Sequence, residues 1–435
     1  MTTVTQIPFD KDYVENFSKE FNEPNWMTEL RLEGLDLASS IEMPKPDKTN
    51  INRWNFLQFK HRAQGEKIAS LSELPETLEA FIDQENRPEN ILILRNETVA
   101  FNSLNDDLKN KGVIFTDLFT ALQEHEALVK KYYMTNAVTV DEHKLTALHA
   151  ALMNGGAFIY VPKGVKIDTP LQAIFWQEDN ETALFNHVIV VAEDDAEVTY
   201  VENYISSNEE EDTVANVIAE VYAGANAYVS FGAVDHFANG TTTYVNRRGV
   251  TGAQATIDWA LGQMNEGNTV SENATHLEGD GSVSNLRTVT VGTGKNIQNF
   301  TAKTVHFGLD TDGQISQRGV LNGATTAIFN AIGKIYNGAT RANAEQESRV
   351  LMLSADARGD ANPILLIDED DVTAGHAASV GRIDEMQLYY LQSRGISRAD
   401  AERLIIHGFM APVVAELPIE TIKNQLTQLI EGKIK

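Results

Sequence analysis

The chain of 435 residues contains no cysteine. No disulfide framework can form, and no thiolate exists to attack a substrate or to hold zinc or an iron–sulfur cluster. Basic residues are short relative to acids. The 35 Lys and Arg against 62 Asp and Glu leave a formal net charge of −27. That balance argues against nucleic acid and anionic membrane as partners, since both reward clustered Lys and Arg. Long apolar runs are missing as well. The most apolar segments, ILIL at 91–94 and HVIVV at 187–191, are strand-sized, far short of the roughly 18 residues of a membrane span. The start, MTTVTQIPFDKDYVENF, lacks the basic end and apolar stretch of a signal peptide, so the expected location is cytoplasmic. GxSxG, HExxH and a complete phosphate loop are also absent. GTGK at 292–295 has a lysine but neither the loop's spacing nor its Ser/Thr, and reads as a corner.

What remains is ample for folding. Hydrophobic residues make up 42% of the chain, enough for a sizeable core, and the length implies roughly two or three domains. Residues 1–155 read as mainly helical. Asn25 caps a predicted helix over WMTELRLEGLDLA. MPKPDKTNINRW is a polar, proline-bearing loop. LPETLEAFIDQ and FTDLFTALQEHEALVKKYY have helical spacing, and ENILILRNETVAFNS has the look of a hairpin. DEHKLTALHAALM reads as a helix closed by a left-handed C-cap at Gly155–Gly156.

From Gly156 to residue 372 short alternating strands take over, punctuated by Gly, Asn and Asp. A turn residue, a small residue or Lys, any residue and an apolar residue recur in that order. The pattern starts at Asp195, Gly224, Gly252, Asp280, Gly294 and Asp312, with a looser copy at Gly323. The first spacings are 29, 28 and 28, and the next is 14. That halving favours a parallel β-helix, with two strands and two turns per half coil, over a sandwich. Some 200 residues at 28 per coil would make a rod about 35 Å long, at ~4.8 Å per coil. Residues 373–435 return to helices. Asp384 with Gln387, and Ser397 with Asp400, form capping boxes, and Pro418 opens a last helix. The expectation is a helical bundle that closes the end of the rod.

The acidic run Asp368–Asp371 reads as a solvated corner, since no turn glycine or spaced ligand set surrounds it. His187, His236, His276 and His306 lie in the strand region with no spacing that clusters them. His376 differs in lying in AGHAASVGR, read as a joint between the last strand and the capped helix.

Residues 375–396, GHAASVGRIDEMQLYYLQSRGI, resemble the C-terminal signature of the SufB/SufD family of iron–sulfur cluster assembly proteins. An HGA-type triplet, the VGRID step and the YLQSRGI helix end carry the match. FNEPNWMTELRLEGLDLA (21–38) and LTALHAALMNGGAFIYVPKGVKIDTPLQ (145–172) resemble the family's first helix and its entry into the solenoid. The resemblance implies a right-handed parallel β-helix between helical end domains, and a scaffold without turnover of its own. It further implies pairing with SufB along the β-helix ends, and binding of the SufC ATPase by the C-terminal helices. A homodimer of the isolated chain is a state that the sequence leaves open. The family's interface histidine falls on His376, a candidate iron ligand. Ala374 and Gly375 stand where members often carry Cys or another polar residue, which leaves the imidazole as the metal contact here. The implied cofactor state is no stable cluster on this chain alone, with a nascent one at the SufB interface. Iron accepts imidazole, and a Cys-free chain leaves the sulfur to its partner. Tyr389, Tyr390 and Arg394 are the expected SufC contacts, because Tyr and Arg dominate binding hot spots. Packing of either tyrosine against the end of the rod is the alternative. The rival function is a β-helix carbohydrate-active enzyme, which would use clustered acids on one coil face.

Overall fold

Alternating inward and outward side chains over ten-residue stretches build the centre of the molecule. The computed structural model describes residues 7–75, 78, 81–82, 88–179, 181–206, 212–416 and 420–434. Most of the segment read as the helix LPETLEAFIDQ, and Pro418, lie outside them. The N-terminal part contributes α1 (Lys11–Glu20), α2 (Asn25–Ser40), β1 (Ile91–Arg95), β2 (Thr98–Ser103), α3 (Asp106–Asn110), β3 (Ile114–Asp117), α4 (Leu118–Glu124), α5 (Glu126–Tyr132) and α6 (Lys144–Leu152). The solenoid begins with β4 (Gly155–Val161), β5 (Leu171–Gln177), β6 (Leu184–Ala192), β7 (Glu197–Ser206), β8 (Thr213–Ala223), β9 (Tyr228–His236), β10 (Thr241–Thr251) and β11 (Thr256–Gln263). It continues through β12 (Thr269–Leu277), β13 (Val283–Gly292), β14 (Ile297–His306), β15 (Asp312–Leu321), β16 (Thr326–Ile335), β17 (Asn343–Met352), β18 (Arg358–Ile367) and β19 (Thr373–Arg382). Helices α7 (Glu385–Ser393), α8 (Arg398–Glu416) and α9 (Glu420–Ile434) follow.

From β4 onward the even strands stack in parallel on one side and the odd strands, from β5, on the other. Each half coil is therefore one long strand and one corner, not the two strands and two turns expected. Ten residues per strand fill the half repeat. One corner of every coil holds a left-handed residue: Asp195, Asn226, Gln254, Gly281, Asp310 and Arg341, at φ 54–66°. Each of their N–H groups donates to a carbonyl of the next coil's corner, from Asp195 to Ala225 through to Arg341 to Asp371. The sequence repeat has its origin here. Its first four copies fall on this corner, the Gly294 and Gly323 copies on the opposite one, and the Asp312 copy opens β15 instead.

The two ends of the rod are finished differently. At the first coil β3 pairs antiparallel with β4, and the β1–β2 hairpin adds to β5, so both edges are covered. Gly156 belongs to β4 rather than to a helix cap, and a Cβ there would lie 1.9 Å from the His187 carbonyl oxygen. The N-terminal start of α2 also differs slightly, with Pro24 rather than Asn25 at the cap. At the last coil, among the described residues, nothing pairs with the outer edges of β18 and β19.

The C-terminal helices do not close that end. Ile406, Met410, Val413, Ile422, Leu426 and Ile430 pack on the flank of the odd sheet, over Val234, Val289, Val291, Val320 and Leu351. Those strand residues point outward and form an apolar stripe that only a covering layer can bury. Gln425 fixes α9 there, accepting from Asn203 Nδ2 at 2.9 Å and donating to the Phe81 carbonyl at 2.8 Å. Among the described residues no helix is long and apolar enough to cross a membrane.

Candidate functional site

The open end is built from a strand that sequence propensity alone would not favour. Thr373–Arg382 is made largely of Gly, Ala and Ser, and pairing with β17 imposes the extended form. His376 therefore sits inside the solenoid's last strand, not in a joint, and the coil continues ten residues beyond the expected boundary at 372. Its register partner is Gln346, which continues the row Trp259, Leu286, Ile315 on β11, β13 and β15. Trp259, Leu286, Ile315 and Gln346 are buried inside the solenoid, so His376 occupies the inward-facing row of a coil that no further coil covers. The imidazole is exposed, and among the described residues no hydrogen bond holds it. Ala374, Ala378 and Val380 share its row, and Gly359, Ala361, Pro363, Leu365 and Ile367 face them from β18. The end of the rod is thus a small-residue apolar layer with one imidazole in it.

Backbone polarity defines the two open edges. Thr373 N–H donates to the Ala342 carbonyl, toward β17. With a period of two, the amides of Ala374, His376, Ala378, Val380 and Arg382 face outward. Arg358 N–H and Asp368 N–H donate toward β16, to Thr325 and Ile335. The outward amides of β18 are therefore at odd positions, and Pro363 removes the middle one. Proline at that edge position breaks no internal hydrogen bond.

A polar cleft of about 580 Å³ lies beside β19 on the odd sheet's flank, under α8. Arg287, Arg318, Glu345 and Glu347 line it with Pro412. Glu347 is ion-paired to Arg318 at 2.7 Å and to Arg349 at 2.5 Å, so these acids do not form a free pair.

The C-terminal helices carry a second exposed feature. Tyr389 and Tyr390 are 67% and 57% exposed, and Met386 and Leu404 also face solvent. Among the described residues, neither tyrosine packs against the rod. Arg394 stacks over the Tyr390 ring at 5.3 Å. Met386, Gln387, Tyr390, Leu391 and Ile405 line an apolar depression of about 410 Å³.

Two buried clusters were not legible from spacing. His187 joins His149 of α6, which the strand-region histidines did not include. Asn216 Nδ2 donates to the Leu145 carbonyl, leaving its Oδ1 to accept from His149 Nδ1 at 3.0 Å. His149 Nε2 meets His187 Nδ1 at 3.0 Å, and His187 Nε2 meets Glu220 Oε2 at 2.9 Å. Burial holds the His187 pKa down to about 3 and pushes that of Glu220 up to about 8. Glu220 also accepts from the N–H groups of Met134 and Val138, tying the N-terminal part to the solenoid. The other cluster is inside the coils, where Arg247 lies between Glu202 and Asp235. Of the remaining histidines, His306 bonds Thr311 at 2.8 Å and His276 packs edge-on to Phe307. The run Asp368–Asp371 forms the corner between β18 and β19, as read. Among the described residues no three His, Cys, Asp or Glu side chains form a group that could hold a metal ion.

A β-solenoid with flanking helices, one covered end and one open end is the architecture on which comparison with known proteins bears. The family profile described as the SufBD core domain of the SUF iron–sulfur cluster assembly system matches residues 175–409, and that of the SufBD N-terminal region matches 66–173. The chain belongs to the SufBD family of iron–sulfur cluster assembly proteins. It is 57% identical over 437 residues to the iron–sulfur cluster assembly protein SufD of Bacillus subtilis, covering the whole of both chains. It is 29% identical over 420 residues to an iron–sulfur cluster assembly SufBD family protein of Staphylococcus aureus, covering 94% of this chain and 90% of that one.

Proposed function

We propose that this chain is the scaffold subunit of a SufBCD-type complex, with no turnover of its own. Its open solenoid end pairs with SufB, its exposed α7–α8 surface takes the SufC ATPase, and His376 touches the nascent cluster, which is cargo rather than a resident cofactor. The observation that carries the reading is an inward-row imidazole exposed between two uncovered ten-residue edge strands. Such edges template strand addition unless a partner covers them. A chain without thiolates supplies one nitrogen ligand, and the partner supplies the sulfur.

The test is His376→Ala. The side chain is exposed, so truncation should leave folding and recovery of the complex nearly unchanged. Cluster assembly, read by complementation of a deletion strain, should fall about tenfold or more, as for lost metal-site contacts. Full complementation would reduce His376 to a structural residue. For the ATPase surface, Tyr390→Ala should weaken SufC binding about thirtyfold, the effect of one hot spot of about 2 kcal/mol. Deleting everything after residue 383 is no substitute for that variant, because it would strip the cover from Val289, Val291, Val320 and Leu351.

A further inference from the structure

The loop of residues 42–52 is more than a connection. It runs along the outer face of the even sheet, where Asn299 Nδ2 donates to the Asp47 carbonyl and to Thr49 Oγ1, both at 2.7 Å. Asn299 opens a ladder of amides, one per coil. Asn330 Nδ2 donates to Asn299 Oδ1 at 3.1 Å, and Asn362 Nδ2 donates to Asn330 Oδ1 at 3.0 Å. Both steps point the same way, so the ladder ends at β18 with an acceptor, Asn362 Oδ1. The Lys48 ammonium takes that acceptor. To reach it Lys48 adopts φ +54°, a left-handed conformation that a residue with a Cβ enters at a cost.

Asn362 and Pro363 are the two middle residues of β18. The strand whose open edge lacks its central donor thus also carries a cation at its centre. Edge lysines and prolines are the devices by which sheets resist pairing with copies of themselves. β19 has neither.

Resting on the pairing proposed above, we propose that Lys48 selects the partner at the open end. It favours a strand that sets a carboxylate beside Asn362, and it disfavours a second copy of this chain. An ammonium has three donors and Asn362 accepts one, so the others are available to an incoming carboxylate. In a two-fold pairing of β18 with β18 of a second copy centred on Asn362 and Pro363, the two Lys48 ammoniums would lie close together on one face of the joined sheet. Like charges brought together in an interface are a repulsive element that separates wrong partners from right ones.

Sedimentation velocity on the full chain, alone and co-expressed with SufB, tests this with Lys48→Met and Lys48→Glu. Lys48 is exposed, so both variants should fold. At low salt Lys48→Met should raise self-association about tenfold, and Lys48→Glu should weaken the complex with SufB about tenfold. High salt should shrink both effects. Unchanged self-association of Lys48→Met, or an unchanged complex with Lys48→Glu, would overturn the proposal. Ala378→Pro serves as the control. If it leaves the SufB complex intact, SufB does not pair with the β19 edge and the pairing proposed above fails there, whatever Lys48 does.

Discussion

Proline at position 378 is expected to lower affinity for SufB about a hundredfold or more while the solenoid stays folded. Ala378 is exposed on β19, and its amide faces the open edge, because Thr373, five residues earlier, donates inward. The substitution therefore removes no bond to β17. It deletes one donor at the edge and places the ring where an added strand would lie. Pro363 already occupies the equivalent kind of position in β18, so the fold tolerates the residue there. Thermal melting should move by a few degrees at most, as expected for an exposed site, whereas titration calorimetry with SufB should show the loss. Native affinity with a folded variant would mean that β19 is not the edge used.

Arg247→Ala should cost about 3–5 kcal/mol of stability, the penalty for leaving buried charges without their counter-ion. The guanidinium is fully buried. It donates through Nε to Glu202 at 3.0 Å and through both Nη atoms to Asp235 at 3.0 and 2.6 Å. Burial already pushes the Glu202 pKa up to about 7, which costs stability as pH rises from its unfolded value toward 7. Without Arg247 that acid loses the charge that offsets burial, so its folded pKa rises further. The variant's deficit should accordingly be largest near neutral pH and shrink as pH falls below the ordinary carboxylate value of 4.5, where the acid becomes protonated in both states. Adding Glu202→Leu and Asp235→Leu to Arg247→Met should restore much of the loss, since an apolar replacement leaves no charge behind. Chemical denaturation at several pH values distinguishes this from simple loss of packing, which would show no pH trend.

The solenoid could be read from the chain because its corners demand a left-handed residue. Gly and Asn tolerate that conformation best, and Asn226 and Gly281 lie in it. No copy of the pattern is read at the corner that Arg341 fills at φ +60°, since Arg announces no turn. The site of the C-terminal helices was hidden for a different reason. Val289, Val291, Val320 and Leu351 look in sequence like part of the interior, but the pleat turns them outward, and the helices are drawn to the flank they create. His376 could be singled out by its motif, yet its strand could not, because GHAAS carries no β-branched residue and becomes extended only by pairing with β17. Arg247, Glu202 and Asp235 are 45 and 12 residues apart along the chain, and only the coil register brings them together. The Lys48 contact with Asn362 spans 314 residues, beyond any local pattern.

The open end should be the surface that a partner covers. Hydrogen–deuterium exchange on the full chain, alone and in complex with SufB, measures this at the amides concerned. In the free chain the outward N–H groups of Ala374, His376, Ala378 and Val380 should exchange rapidly, while those bonded to β17 are slow. In the complex the same outward amides should become protected by at least about tenfold. The Ala378→Pro variant should keep the free-chain pattern. Protection elsewhere, with these amides as fast in the complex as in the free chain, would contradict the account and leave His376 away from the interface.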